Sequence, residues 1–418
     1  MRQLIKNGRV IDPANRLDKI CDILIEDDTI VKIGDNLAAE DAAVIDAAEK
    51  IVAPGFIDMH VHLREPGQEA KEDFASGSRA AAAGGYTTVA AMPNTSPVVD
   101  NAALVRSLQK RADDVSLVHI EIIGALTKGQ CGEELAELGD MAEAGAVAFS
   151  DDGHYVERAK VLLSGLDYLR AFDKIIINHD EDTSLIEEGC MNEGRRSAML
   201  GVKGRPTVAE DIAVDRDIRL AEYADARVHV AHISSARAVE IVRQAKKRGV
   251  RVSAEVTPHH LTLTEDYVDL SNSATKVNPP LRRQSDVDAM LEGLKDGTID
   301  AIVTDHSPHA EEEKDVEYCL APSGFPGLET AVGVLLTELY HSGKLDLDTL
   351  ISKLTAEPAR LLGLDVGTLA AGSRADIVIL DPEREWTVDE RAFYTRGTHS
   401  PFAGRRLKGR AVLTMVGG

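Results

Sequence analysis

The sequence predicts an α/β fold: a (β/α)8 barrel with a small β-sandwich assembled from the two ends of the chain. Eight short apolar runs alternate with amphipathic helical stretches through the middle of the chain. Segments of β character flank that series on both sides. Gly/Pro punctuation falls where barrel loops belong, at Pro66-Gly67, Pro93-Asn94-Thr95, Gly201–Pro206 and Ser323–Gly327.

Taken in order, Gln3–Ile11 reads as a strand, and Asp22–Ile33 alternates as two strands broken by the acidic turn Glu26-Asp27-Asp28. Residues 1–52 are therefore assigned to the sandwich. The expected barrel strands are Ile51–Leu63, Thr87–Met92, His119–Ala125, Ala146–Phe149, Lys174–His179, Arg227–His232, Arg251–Val256 and Ile299–Thr304. A helical region, Glu329–Gly363, completes a barrel domain of residues 53–362. The β-like segments Ala375–Asp381 and Arg410–Val416 return residues 363–418 to the sandwich. Gly194–Pro206, rich in Gly, Arg and Lys, reads as a mobile, solvated loop.

Seventy acidic against 47 basic residues give a formal charge of −23. Such a surface repels phosphate backbones and anionic bilayers, so neither nucleic acid nor membrane is an expected partner. The N-terminus lacks the apolar core of a signal peptide, and no apolar run is long enough to span a bilayer. A cytoplasmic enzyme is the expectation. Cys21, Cys131, Cys190 and Cys319 are widely scattered without a CxxC pair, which predicts buried, reduced thiols rather than a disulfide framework.

The chemistry lies at the ends of the predicted strands. His60-Val61-His62 ends the first, and a strand period of two turns both imidazoles to one side. Thirteen His in this chain give roughly 0.4 such pairs by chance, so the motif needs its context. Strand four ends in Ser150-Asp151-Asp152-Gly153, strand five in His179, strand six in His229-Val230-Ala231-His232, and strand eight in Thr304-Asp305-His306-Ser307-Pro308-His309. Singly, each is an ordinary turn or hydrogen-bonding residue. At the C-terminal mouth of one barrel they converge, and mixed imidazole and carboxylate donors suit zinc. Alternation lets only one of Asp151 and Asp152 point inward. Asp58, in phase with His60, is placed to orient a ligand from behind. His259-His260 reads as supporting or structural, and His119, His154, His229, His341 and His399 as structural or surface residues.

Gly55-Phe56-Ile57-Asp58-Met59-His60-Val61-His62-Leu63-Arg64-Glu65-Pro66-Gly67, Met92-Pro93-Asn94-Thr95, Phe149–Gly153 and Thr304–Lys314 together resemble the long, type I class of bacterial dihydroorotases in the amidohydrolase superfamily. The resemblance runs from about Asn7 to the C-terminus. It implies reversible cyclisation of N-carbamoyl-L-aspartate to L-dihydroorotate in pyrimidine synthesis. It further implies two zinc ions per chain, one held by His60 and His62, the other by His179 and His232, with Asp152 bridging. Asp305 would touch the first metal and carry the proton.

The same resemblance assigns the substrate to His62, Arg64, Asn94, Asn278, His309, Ser323 and Gly324. Arg64, two residues beyond His62, is expected on the same strand face, offering a forked contact to the carboxylate that takes no part in bond making. Many relatives, hydantoinases included, bridge their metals with a carboxylated Lys on strand four; this strand has none. The alternatives are a hydantoinase or allantoinase on the same fold, and a noncatalytic scaffold of aspartate carbamoyltransferase. Possible partners implied are a second copy of the chain and that transferase.

Overall fold

The computed structural model describes residues 1–38 and 40–418. Five strands come first: β1 (Arg2–Asp12), β2 (Leu17–Glu26), β3 (Thr29–Gly34), β4 (Ala43–Asp46) and β5 (Ile51–Pro54). Then follow β6 (Phe56–Val61), β7 (Tyr86–Ala91), β8 (His119–Gly124), β9 (Ala148–Phe149) and β10 (Ile175–Asn178). A short pair, β11 (Met191–Asn192) and β12 (Gly204–Arg205), precedes β13 (Val228–Val230), β14 (Val252–Val256) and β15 (Ala301–Ile302). The chain ends with β16 (Ile377–Thr387) and β17 (Arg406–Met415).

Strands β6 to β10 and β13 to β15 pair in parallel, in chain order. Val61 bridges His306, just beyond β15, and brings the first strand against the last. Strands such as Ile175-Ile176-Ile177 are buried on both faces, as a parallel sheet covered by helices requires. The helix Ala236–Lys247 shows how the outer layer is specified. Ala238, Val239, Val242 and Ala245 recur on one buried face, and the Ser235 side chain accepts the Ala238 N–H at 3.0 Å. Asp73 and Asn101 cap the helices Phe74–Gly84 and Ala102–Val115 in the same way, each cap being worth about 1 kcal/mol.

The two ends of the chain meet in one seven-stranded sheet, ordered β17-β16-β5-β1-β2-β3 with β4 also on β1. Its core takes Ile5, Val10, Ile23 and Ile25 from one end and Ala375, Ile377, Ile379 and Met415 from the other. The expected single strand Ile51–Leu63 is in fact two. β5 pairs with β1 and β16, whereas β6 pairs with β7. The break falls at Gly55, where a Cβ would stand 2.2 Å from Thr87 Cγ2; only glycine allows the barrel and the terminal sheet to approach this closely.

Two further expectations are corrected. Cys190 and Cys319 form a disulfide with Cα atoms 5.2 Å apart, and Cys131 is exposed; Cys21 alone is a buried thiol as expected. The paired residues are 129 positions apart, and nothing local in sequence reports such a contact. The Gly194–Pro206 stretch is structured: it contains the helix Arg195–Leu200 and the pairing of β12 with β11. Among the described residues no helix is long and apolar enough to cross a membrane.

Candidate active site

Asp152 occupies the centre of the barrel mouth. One carboxylate oxygen, Oδ2, lies 3.5 Å from His60 Nε2 and 3.4 Å from His62 Nε2. The other, Oδ1, lies 3.5 Å from His179 Nδ1 and 3.3 Å from His232 Nε2. Asp305 Oδ1 stands 3.2 Å from His62 Nε2 and 3.7 Å from His60 Nε2. Five barrel strands thus deliver six side chains to one point. Asp151 faces away, accepting the Leu126 and Thr127 N–H groups at 2.9 and 3.0 Å and the Thr127 hydroxyl.

This donor set fits a divalent cation. His60 Nε2 and Asp152 Oδ1 are buried and have no hydrogen-bond partner among the described residues, a condition costing about 1–3 kcal/mol per group unless a ligand relieves it. Two groups, His60 with Asp152 and His232, and His60 with His62 and Asp305, bring their donor atoms within 4.8 Å of one another.

Surrounding residues fix which ring nitrogen faces the centre. Glu255 Oε1 lies 2.6 Å from His60 Nδ1, leaving Nε2 for the cluster. Its second oxygen lies 3.0 Å from His229 Nε2, whose Nδ1 is 2.7 Å from Ser253 Oγ. Burial alone would raise the Glu255 carboxyl; the His60 and His229 rings outweigh it and hold the group ionised. The signal for Glu255 was present in sequence, a lone carboxylate within the apolar run Val252–Val256. Asp58 acts on the backbone rather than on a ring, accepting the His60 N–H at 3.1 Å and the Thr304 N–H at 3.1 Å.

Arg64 reaches the mouth by a route the strand pattern did not show. β6 ends at Val61, and Arg64 has a left-handed φ of 62°, as have Asp305 at 50° and His232 at 27°. Non-glycine residues held there cost of order 1–3 kcal/mol each, and such strain gathers at functional sites. The Arg64 guanidinium donates from Nε to the Pro308 carbonyl at 3.2 Å and lies 3.4 Å from His309 Nε2. Burial brings Arg64 down to about 10, so it remains a cation, whereas burial and the Arg64 charge push His309 down to about 3, leaving a neutral ring. Asn94 Oδ1 lies 2.9 Å from His62 Nδ1.

These groups surround a cavity of about 200 Å³, and every residue named from sequence as a metal or substrate contact lines it except His60, which lies beneath. Asn278 has a second engagement not foreseen: its Nδ2 lies 3.0 Å from both His179 Nε2 and Glu181 Oε2. Arg205, from the stretch expected to be solvated, donates to Asn278 Oδ1 at 2.8 Å and to Glu181 at 3.1 Å. Arg205 was missed because its partners come from distant segments, whereas Glu181 had a local signal, standing two residues beyond His179 with Oε2 3.4 Å from that ring's Nε2.

A near-closed parallel barrel carrying histidines and aspartates at its C-terminal mouth defines a class, the barrel enzymes with a candidate metal centre. A family profile described as "Dihydro-orotase-like" matches residues 49–238, and one described as "Amidohydrolase family" matches residues 321–418. The chain is 52% identical to a dihydroorotase of Pelotomaculum thermopropionicum and 51% identical to one of Syntrophotalea carbinolica, in each case over 100% of this chain and 98% of the relative. Among solved structures it resembles an L-hydantoinase from Arthrobacter aurescens, with a TM-score of 0.90 and 29% identity over 100% of this chain and 95% of that one. A dihydropyrimidinase from Brevibacillus agri follows with a TM-score of 0.87 and 25% identity, covering 100% and 94%. The chain belongs to the dihydroorotase family.

Proposed function

We propose that the chain is a zinc-dependent dihydroorotase that interconverts N-carbamoyl-L-aspartate and L-dihydroorotate in pyrimidine synthesis. The observation that carries the reading is Asp152, with one oxygen toward each histidine pair. His60 and His62 would hold one zinc, His179 and His232 the other, with Asp152 between them and Asp305 touching the first. When bound, such a pair supplies a water acidic enough to attack at neutral pH and polarises the ring carbonyl.

The chain's own groups do the rest. Burial alone would raise the Asp305 carboxyl, but the hydrogen bond from His62 and the neighbouring rings hold it below the ordinary range. It is therefore ready to accept the proton of the attacking water and hand it to the departing ring nitrogen; closure runs the same transfer backwards. Arg64, with the neutral His309 and Asn94, receives the spectator carboxylate. Asn278 and the backbone of Ser323-Gly324 line the ring side of the cavity. Arg64→Ala should raise KM for dihydroorotate by tenfold or more, the scale of a lost charge-assisted contact, with a smaller change in kcat. Steady-state kinetics check it, and an unchanged KM would move the anchor elsewhere.

The hydantoinase-like structures share the fold, yet a carboxylate anchor and a strand β9 without lysine argue against a hydantoinase or allantoinase. Metal-loaded protein assayed in parallel on dihydroorotate, hydantoin and allantoin tests the choice: turnover of dihydroorotate is expected to dominate, and dominance of either other ring would overturn it. A cytoplasmic location, pairing of two copies and docking with an aspartate carbamoyltransferase belong to the same proposal. Fractionation, and the mass of the assembly with and without that transferase, read them out.

A further inference from the structure

Two lysines are buried beside the substrate cavity, Lys276 and Lys314, 7% and 3% exposed. Among the described residues neither has a carboxylate within ion-pair distance. Their ammonium groups turn instead to the backbone of one segment. Lys276 Nζ donates to the carbonyls of Cys319 and Ala321 at 2.8 and 2.6 Å. Lys314 Nζ donates to those of Pro322 and Gly324, both at 2.9 Å. The Gly324 N–H returns to the Lys276 carbonyl at 2.8 Å, and the Lys314 carbonyl accepts the Ser273 hydroxyl at 2.6 Å. His309 Nε2 takes the remaining neighbour, the Ser323 carbonyl, at 2.8 Å.

Burying a charge without a counter-charge is costly unless its hydrogen bonds are satisfied. An ammonium has three donors and no acceptor, so one Lys can tie two carbonyls at once, which no neutral side chain of similar size can do as well. The segment so held is the one whose Ser323 and Gly324 form the cavity wall. Its backbone has no freedom to spare: Gly324 has φ +113°, and a Cβ there would stand 2.5 Å from Ser307 Cβ.

We propose that Lys276 and Lys314 are positioning residues for substrate binding: together they clamp the Cys319–Gly324 segment so that Ser323 and Gly324 stand at the cavity wall in the geometry the ring requires. The inference rests on the dihydroorotate reading only for its kinetic test. It also has a pH signature. Burial brings Lys314 down to about 7, with Lys276 lowering it further and Glu313 opposing. Burial brings Lys276 down to about 8, with Arg205 adding to the effect. The Tyr318 ring faces Lys276 at 6.0 Å and, with its phenol pushed up to about 12 by burial, stays neutral. Below these values both clamps are ammonium groups; as pH rises through them the charge is lost and the bonds to the carbonyls weaken. Arg64 and His309 keep their charge state over the same range.

The test compares wild type with Lys314→Met and Lys276→Met, metal-loaded and with the Cys190–Cys319 disulfide intact. At about pH 6.5 each variant should show KM for dihydroorotate raised about tenfold with kcat within a few fold, and the alkaline rise in KM expected of wild type should flatten. A folded Lys314→Met protein of native metal content and wild-type KM overturns the proposal. Where a variant does not fold, hydrogen exchange in wild type decides. Protection of the hydrogen-bonded Leu320, Ala321 and Gly324 amides, corrected for intrinsic exchange, should fall between about pH 6 and pH 9 while the barrel strands keep theirs. Protection that does not change with pH overturns it. Because the exchange measurement needs no turnover, a failure of the dihydroorotase reading leaves this result separately legible.

Discussion

Asp305→Asn should lower turnover of dihydroorotate by roughly two orders of magnitude or more, the usual scale for removing a general acid–base, while most of the metal stays bound. The substitution keeps the size of the side chain and an oxygen 3.2 Å from His62 Nε2 but removes the ability to take up a proton near neutrality. The metal-binding histidines proposed here and Asp152 are untouched. Loss should appear in both directions of the reaction, since one group carries the proton each way. Initial rates in each direction, with metal analysis of the same samples, check it; a near-normal rate would mean that the proton travels by another path.

The second large effect concerns direction and follows from the charges of the proposed substrates. Carbamoyl aspartate carries two ionised carboxylates and dihydroorotate one, because the other has become part of the ring amide. Ring closure therefore consumes a proton. Above the carboxylate range, near ~4, and below ring ionisation, the end-point ratio should move about tenfold toward the open form per pH unit. Between about pH 6 and pH 9 the change is roughly a thousandfold. The end point is independent of the catalyst, so measuring it beside the initial rates separates substrate thermodynamics from enzyme titration. An end-point ratio that ignores pH would rule out this substrate pair.

The barrel and the central side chains were legible because they lie at the ends of five short apolar runs, and strand ends at one barrel mouth must be neighbours; the choice of Asp152 over Asp151 came from the family resemblance alone. Local pattern also separated β2 from β3 at Asp27-Asp28. It failed where the decisive contact is remote. His60 and Glu255 are 195 residues apart, and Arg205 meets Asn278 across the mouth. Cys190 and Cys319 belong to the same class. Arg64 shows a different limit: its placement depends on a left-handed turn, and a period-two pattern carries no information once the strand has ended.

Asp152, between two histidine pairs, is expected to assemble a two-metal centre. Metal content per folded chain for wild type, Asp151→Ala and Asp152→Ala after zinc loading and removal of excess ion tests it most directly. The expected result is about two zinc ions in wild type, since two histidine pairs share one carboxylate. Asp152→Ala should lose metal far more severely than Asp151→Ala, whose lost contacts are to Leu126 and Thr127. Equal metal content in the two variants, or a fully active wild-type protein stripped of metal, would contradict it.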